Sequence, residues 1–331
     1  MRLKRVSRDG LEARRIRKGR GYAFVDADGH AWAERDLHER ARHLGIPPAW
    51  TDVRIAAEAN AHIQACGLDA AGRWQYIYHP DWEARRTRHK EQQLALLTAA
   101  LPRIRRHIAQ DLTAETGSKQ LAVAIGAALI DRTAMRVGRE RYLDASGTRG
   151  ASTLYSRDVS VKGETVVLKF PAKSGKIAFY EVADAALAAA IARIMTIAGK
   201  RLLMYRTEEG TAQAIRSEDL NRYLRDAAGG RVTAKDFRTL HASAIAAEAL
   251  ARLEPGPSDA ARRRQMAVVT REVAAFLRNT PAITRKSYIA PCLFRLFETA
   301  KLSDLWAAVS ERHDGLRQRE TRLAGVLAAV S

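Results

Sequence analysis

The sequence predicts an α+β protein: a small antiparallel β-rich N-terminal domain, then a larger, mostly α-helical domain containing a short three-stranded β-sheet. Three observations carry this. Turn-rich, aromatic texture gives way to helical periodicity near residue 90; four of the five Trp fall before that point; and one β island interrupts the helical half. A chain of 331 residues with 47% hydrophobic residues has room for two domains with real cores, and the division is placed at 1–84 and 85–331.

From Arg17 to about Tyr78 the chain is punctuated by Gly19, Gly21, the Asp26–Gly29 turn and Gly45-Ile-Pro-Pro48. Tyr22–Val25 and Gln75–Tyr78 are aromatic or β-branched runs of strand length. A helix is expected over roughly Glu34–Leu44. The polar segment His79–Lys90 is expected to be the linker. Beyond it Leu94, Leu97, Leu101 and Ile104 mark one face of a helix. Similar patterns run through 120–141, 183–200, 217–226, 237–253 and 262–278. The island spans Val159–Val182, where Val166, Leu168 and Phe170 alternate between tight turns at Lys162-Gly163 and Lys173-Ser174-Gly175.

Charge points to the class of partner. There are 56 Lys and Arg against 37 Asp and Glu, a net +19 and a pI near 10.4, which suits a polyanion such as nucleic acid. Arg supplies 44 of the 56, a bias that base composition alone can produce, so charge by itself does not establish DNA binding. The longest uncharged apolar run, Leu121–Ile130, is ten residues, too short to span a membrane. The first twenty residues hold nine Lys or Arg and no apolar run, so no secretory signal is expected. Cys66 and Cys292 stand far apart and read as free thiols of a reducing compartment. The sequence has no Walker loop, GxGxxG after a strand, HExxH or CxxC. No metal and no cofactor are therefore expected.

Metal-free phosphodiester cleavage requires fixed cations for the non-bridging oxygens, a neutral donor, an acid for the leaving oxygen and a hydroxyl nucleophile. Arg suits the first task because its planar fork engages phosphate at two points and stays charged. The helical half offers Arg136 in AMRVGRERY, Lys173 in FPAKSGK, Arg238 in TAKDFRTLH, and Asn279 with Tyr288 in LRNTPAITRKSYIAP. Taken singly, each has an ordinary structural reading. Arg136 is one of many surface arginines, and Lys173 a hairpin-turn residue. Arg238 is a partner for Asp236 or Glu248. Asn279-Thr-Pro is a helix stop followed by a turn, and Tyr288 half-buried core.

Their occurrence in this order resembles the type IB DNA topoisomerases, in particular the poxvirus-like and bacterial branch. The resemblance also takes in RKGRGYAFVDADG, GIPPAWTDV, GRWQYIYHP, LPRIRRHI and MRVGRERY. KDFRT and the NTPA-to-SYI block are its most specific parts. It implies relaxation of supercoiled duplex DNA without ATP or metal, by strand cleavage, swivelling and religation. Tyr288 then forms a 3′-phosphotyrosyl bond, Arg136 and Arg238 hold the non-bridging oxygens, and Lys173 protonates the leaving 5′ oxygen. Asn279 donates to a non-bridging oxygen, where other members use His.

The resemblance further implies a monomer clamping duplex DNA, free of membrane, cytoplasmic and associated with the chromosome. Arg73, Gln75, Tyr76 and Tyr78 match the family strand that enters the major groove. Strand alternation opposes Gln75 and Ile77 to Tyr76 and Tyr78, so an inward-packing strand is the competing reading. Arg85, Arg86, Arg88 and Lys90 are candidates for a basic hinge. Ser152-Thr153-Leu154 replaces the usual TTL, Asp158 stands where a His is common and is expected to weaken DNA contact nearby, and Leu240 replaces an aromatic. The segments 1–15 and 312–331 carry no signal.

Two rivals share parts of the pattern. A tyrosine recombinase or integrase typically carries His three residues before the second Arg, where this chain has Lys235, and lacks such a β domain. A non-catalytic DNA-binding protein would leave Tyr288 structural. Geometry is the discriminator: the enzyme needs Lys173 and Tyr288 both close to one phosphate-sized site with Arg136, Arg238 and Asn279, and Tyr288 in another pocket weakens the case, although an enzyme without substrate can hold its nucleophile misplaced.

Overall fold

A computed structural model describes residues 2–32, 35–309 and 317–330. The chain forms two compact units, Met1–His89 and Lys90–Ser331.

The first unit is a five-stranded antiparallel sheet made of β1 (Ala13–Lys18), β2 (Gly21–Val25), β3 (Thr51–Ile55), β4 (Ile63–Leu68) and β5 (Trp74–Tyr78), in the order β2-β1-β3-β4-β5. Lys18 pairs with Gly21, leaving a two-residue hairpin in which Gly19 takes φ 56°. The expected strands at Tyr22–Val25 and Gln75–Tyr78 are β2 and β5. Helix α1 (Arg35–His43) matches the expected helix, whose first residue, Glu34, lies outside the described residues. Leu37 and Ala41 of α1 pack on Ala13, Val53, Ile55 and Ala65. The opposite sheet face is also covered, by Leu11, Ala56, Ala61, Ile63 and Cys66 with Trp74, Tyr76 and Tyr78 against them. The basic N-terminal segment is not featureless. It supplies Ala13, fully buried in β1, and Arg15, whose guanidinium bonds the carbonyls of Ile46, Pro47 and Trp50.

The expected linker at His79–Lys90 is instead helix. Helix α2 runs Pro80–Asp111, and the division between the units falls within it. The reason is local: Pro80 opens the helix, Asp81 and Glu83 sit in its first turn, and no Gly or Pro interrupts it before Pro102. High charge there marks a solvated helix face rather than a break.

The second unit continues with α3 (Lys119–Thr133), α4 (Glu140–Ser146) and an antiparallel sheet of β6 (Val159–Lys162), β7 (Thr165–Pro171) and β8 (Ile177–Ala183). Next come α5 (Ala185–Ile194), a two-stranded ribbon of β9 (Met204–Arg206) and β10 (Ala212–Ala214), α6 (Ser217–Ala228), α7 (Ala234–Ala251) and α8 (Asp259–Leu277). The short helices α9 (Pro281–Ser287), α10 (Pro291–Glu298), α11 (Leu302–Ala308) and α12 (Gln318–Ala328) close the described chain. The apolar run Leu121–Ile130 is buried all round as the axis of the core, which is what a helix hydrophobic on every side requires. Among the described residues no helix is long and apolar enough to cross a membrane.

Two further expectations are corrected. The pattern over 120–141 is not one helix: it stops at Ala134, which takes the left-handed φ of 53°, and resumes at Glu140. Asn279-Thr-Pro is a helix stop, but it leads into α9 rather than a turn, with the Thr280 side chain accepting from Ile283 N–H and Pro281 at the first helical position. The C-terminal tail 312–331, silent in sequence, supplies α12; its residues 312–316 and 331, with 310 and 311 before them, lie outside the described ones.

Helix α12 is held by a buried ionic cluster. The Arg105 guanidinium spans the Asp131 carboxylate, at 2.8 and 3.0 Å, and the Glu320 carboxylate, at 2.7 and 2.8 Å. Asp131 is fully buried. Burial pushes its carboxyl upward, but the charge and bonds of Arg105, with Arg317 and Arg132 behind, outweigh this and hold it at about 2. A depressed carboxyl contributes stability above its unfolded value and loses it as pH falls through the folded value. Urea unfolding should register this in two ways. Arg105→Ala removes the shared partner of two buried carboxylates, which keep Arg132 and Arg317, and costs ~1.5–3 kcal/mol at neutral pH. The wild-type stability conferred by Asp131 drains away only below the ordinary carboxylate range, towards pH 2.

Candidate active site

Arg238 lies on the second turn of α7 and is 3% exposed. A buried guanidinium needs acceptors, and two helix ends provide them. Nη1 donates to the Ala134 carbonyl at the end of α3, and Nη2 donates to the Leu277 carbonyl at the end of α8, at 2.9 Å. Both ends carry the negative pole of a helix, which favours a cation. Arg238 pairs with neither Asp236 nor Glu248: Asp236 caps α7 through Thr233, and Glu248 holds Arg252 and Arg319.

Each tethered helix end leads directly to a sequence-predicted residue. Two residues past Ala134 stands Arg136, on a non-helical segment whose carbonyl accepts from Ala151 N–H at 2.9 Å. Two residues past Leu277 stands Asn279, half-buried, behind Arg278 in the left-handed conformation at φ 50°. Arg278 in turn donates to the Phe179 carbonyl of β8 and covers the Tyr180 ring at 4.1 Å.

Tyr288 comes directly after α9 and is half-buried, its backbone N–H bonded to the Thr284 carbonyl at 3.0 Å. Ser243 Oγ donates to the Tyr288 carbonyl at 3.2 Å and accepts from the Ala290 N–H at 3.0 Å. Ser243 is fully buried and lies on α7, as does Arg238, so one helix sets both. Lys90, expected at a hinge, instead donates to the Ile289 carbonyl at 2.7 Å, steadying the residue after Tyr288.

A cavity of about 190 Å³ gathers Arg136, Arg139, Arg149, Lys235, Arg238, Tyr142 and Tyr288 in its wall. The Arg238 guanidinium carbon lies 5.0 Å from the Tyr288 ring centre. Burial raises the Tyr288 phenol, but Arg238 at close range, then Arg136 and Lys235, outweigh it and leave the phenol below its ordinary value. Burial, with Arg238 adding to it, lowers Arg136. The wall is thus cationic around an ionisable hydroxyl, a setting that attracts an anion and eases loss of the phenol proton.

Of the five predicted catalytic residues, the cavity wall includes Arg136, Arg238 and Tyr288. Lys173 is exposed in the turn between β7 and β8, and Asn279 stands beside the Leu277 end; neither lines the cavity. The Lys173 turn is nonetheless tied to the wall, because Arg149 N–H donates to the Pro171 carbonyl at 2.9 Å. Arg139, Arg149 and Tyr142 are not singled out by the sequence. Arg139, three residues after Arg136 in RVGRERY, has a local signal; Arg149 has none. Asp158 does not face a ligand: it is buried, with Arg149 Nη2 bonding it at 2.8 Å.

In the first unit, Arg73 donates to Asp69 through Nε at 3.0 Å and Nη2 at 2.9 Å, and Gln75 Nε2 reaches the same oxygen at 2.9 Å. Arg73, whose side-chain and backbone bonds come first, holds Asp69 at about 2. Tyr76 and Tyr78 lie on the other face of β5, stacked 5.9 Å apart and half-buried. Asp26, Asp28 and His30 place possible metal-ligand atoms within 4.8 Å of one another, but Asp26 already accepts the Asp28 and His30 N–H groups, as its turn requires.

Comparison with known proteins is consistent with this geometry. The family profile described as eukaryotic DNA topoisomerase I, catalytic core, matches residues 80–293, and that of the bacterial DNA topoisomerase IB N-terminal domain matches residues 21–69. A curated relative, the DNA topoisomerase 1B of Acanthamoeba polyphaga mimivirus, is 28% identical over 267 residues, covering 78% of this chain and 80% of its own length. The chain belongs to the type IB DNA topoisomerase family, and its substrate is DNA.

One backbone contact tests how the Arg136 segment is held. A methyl group on Gly150 would lie 2.4 Å from the Arg136 carbonyl oxygen and 2.5 Å from Gly138 N. Gly150→Ala therefore forces the Arg136 segment to move and costs ~1–3 kcal/mol in a thermal melt, as overpacking does. Gly230→Ala, where the methyl meets open space, stays within ~0.5 kcal/mol.

Proposed function

We propose that this topoisomerase relaxes supercoiled duplex DNA through Tyr288, without ATP or metal. The observation that carries the reading is the convergence of Arg136, Arg238 and Tyr288, from three separate segments, on one cationic cavity. The Tyr288 phenolate attacks the scissile phosphorus, the bond to the 5′ oxygen breaks, and Lys173 gives that oxygen its proton. Arg136 and Arg238 bear the charge that builds on the non-bridging oxygens, with Asn279 as neutral donor. DNA binding draws Lys173 and Asn279 onto the phosphate.

The tyrosyl ester retains the phosphodiester bond energy, so the 5′ hydroxyl reseals the strand by the reverse displacement after the duplex has swivelled. The chain acts as a monomer that clamps the duplex. In the first unit Arg73, Gln75, Tyr76 and Tyr78 are the proposed groove contacts of β5. Gln suits adenine edges, and Arg suits guanine or phosphate.

Plasmid relaxation in EDTA without ATP tests the reading. Wild type relaxes the plasmid and forms a covalent adduct with DNA carrying a nick-trapping site, while Tyr288→Phe binds DNA and does neither. Arg238→Ala slows single-turnover cleavage by roughly 10²- to 10⁵-fold, the range for such clamps. Undiminished relaxation by Tyr288→Phe would sink the assignment.

A further inference from the structure

The ring of His241 stands at the junction of the two helix ends that Arg238 ties together, yet it does not line the cavity. It lies three residues after Arg238 on α7, on the same helix face. Its Nε2 lies 2.8 Å from the Asp131 carbonyl oxygen. A carbonyl only accepts, so Nε2 carries the proton and donates. Asp131 is the residue whose carboxylate Arg105 and Arg132 immobilise. The carbonyl that His241 holds is therefore fixed from the far side as well. The ring also contacts Phe276, one residue before the Leu277 carbonyl that Arg238 engages, with ring centres 6.0 Å apart and an interplanar angle of 23°.

We infer that His241 is a positioning residue for the cleavage step: it fixes the ends of α3 and α8 on α7, and so sets Arg136 and Asn279 at their separation around Arg238. The inference rests on the proposed roles of those residues. Its physical basis is a conflict in what Arg238 must do. Arg238 commits two of its five N–H donors to the Ala134 and Leu277 carbonyls, and its buried Nε has no protein partner among the described residues. A side chain that takes up and releases a phosphate in every turnover is a poor sole tether for the backbone around it. His241 repeats the same two attachments one turn away, by a hydrogen bond to the α3 end and a ring contact to the α8 end, and lies outside the cavity wall.

Two substitutions separate the donor from the ring. His241→Phe keeps an aromatic ring against Phe276 and removes the donor; His241→Gln keeps a donor at the Nε2 position. Single-turnover cleavage of a nick-trapping duplex at saturating enzyme is measured beside non-covalent DNA affinity, taken in the Tyr288→Phe background. The expected result is a 10- to 100-fold slower cleavage for His241→Phe at unchanged affinity, with His241→Gln recovering most of the rate. A contribution confined to folding would lower the melting temperature of His241→Phe and leave the rate of the folded fraction at the wild-type value, which overturns the inference. Equal slowing in both variants supports both attachments, whereas slowing in His241→Gln alone overturns the inference, because the donor then plays no part. Arg238→Ala run in parallel distinguishes the two levels: normal cleavage by Arg238→Ala defeats the proposed mechanism itself, whereas a slow Arg238→Ala with a normal His241→Phe defeats only this inference.

Discussion

The burial of a single guanidinium, that of Arg238, organises the catalytic unit. A charge 3% exposed is tolerated only where acceptors surround it, and the chain meets this need with the carbonyl ends of two helices. The attraction is mutual: helix C-termini present unpaired carbonyls and a negative pole, and the cation answers both. The planar fork of arginine matters here, because two Nη groups reach two carbonyls on opposite sides while other donors remain. The same charge depresses the Tyr288 phenol against the opposing effect of burial. Scaffold and electrostatics therefore meet in one side chain.

Backbone strain is placed where these attachments end. Ala134 and Arg278 adopt left-handed conformations without being glycine, and each sits at the end of a helix tethered by Arg238. Such conformations cost of order 1–3 kcal/mol each and persist only when the surroundings enforce them. The sharp reversal is what lets α3 and α8 stop and send Arg136 and Asn279 along new paths. Gly138 and Gly150 complete the turn beside Arg136, where no side chain fits between the two backbone segments.

Tyr288 is governed by the same helix from another direction. Ser243 bridges the Tyr288 carbonyl and the Ala290 N–H across α7, and Lys90 takes the Ile289 carbonyl. The peptide around the tyrosine is thus held by its backbone, leaving the phenol at the cavity wall. Lys173 is different in kind: it rides on a hairpin turn, exposed, and that turn is linked to the wall through the Arg149–Pro171 backbone bond. That difference suits the role proposed for it, protonation of a leaving oxygen that arrives with the DNA.

The sequence by itself determined the fold class, because hydrophobic period is a local property. Alternation at Val166, Leu168 and Phe170 marks β7, and 3–4 spacing at Leu94 to Ile104 marks α2. It also supplied Arg136, Arg238 and Tyr288, through the order of short motifs. Its misleading signal is local too: the charged stretch at His79–Lys90 reads as a linker, since charge density alone does not separate a solvated helix from a loop. Tertiary structure alone decided that Arg238 binds helix ends and not Asp236 or Glu248, that Arg149 joins the cavity wall, and that Asp158 turns inward to meet Arg149. It also made the silent tail a partner of Arg105, through Glu320, and of Asp131, through Arg317. These contacts join residues from 9 to 215 positions apart. No periodicity encodes them; they exist only once burial forces each charge to find a partner.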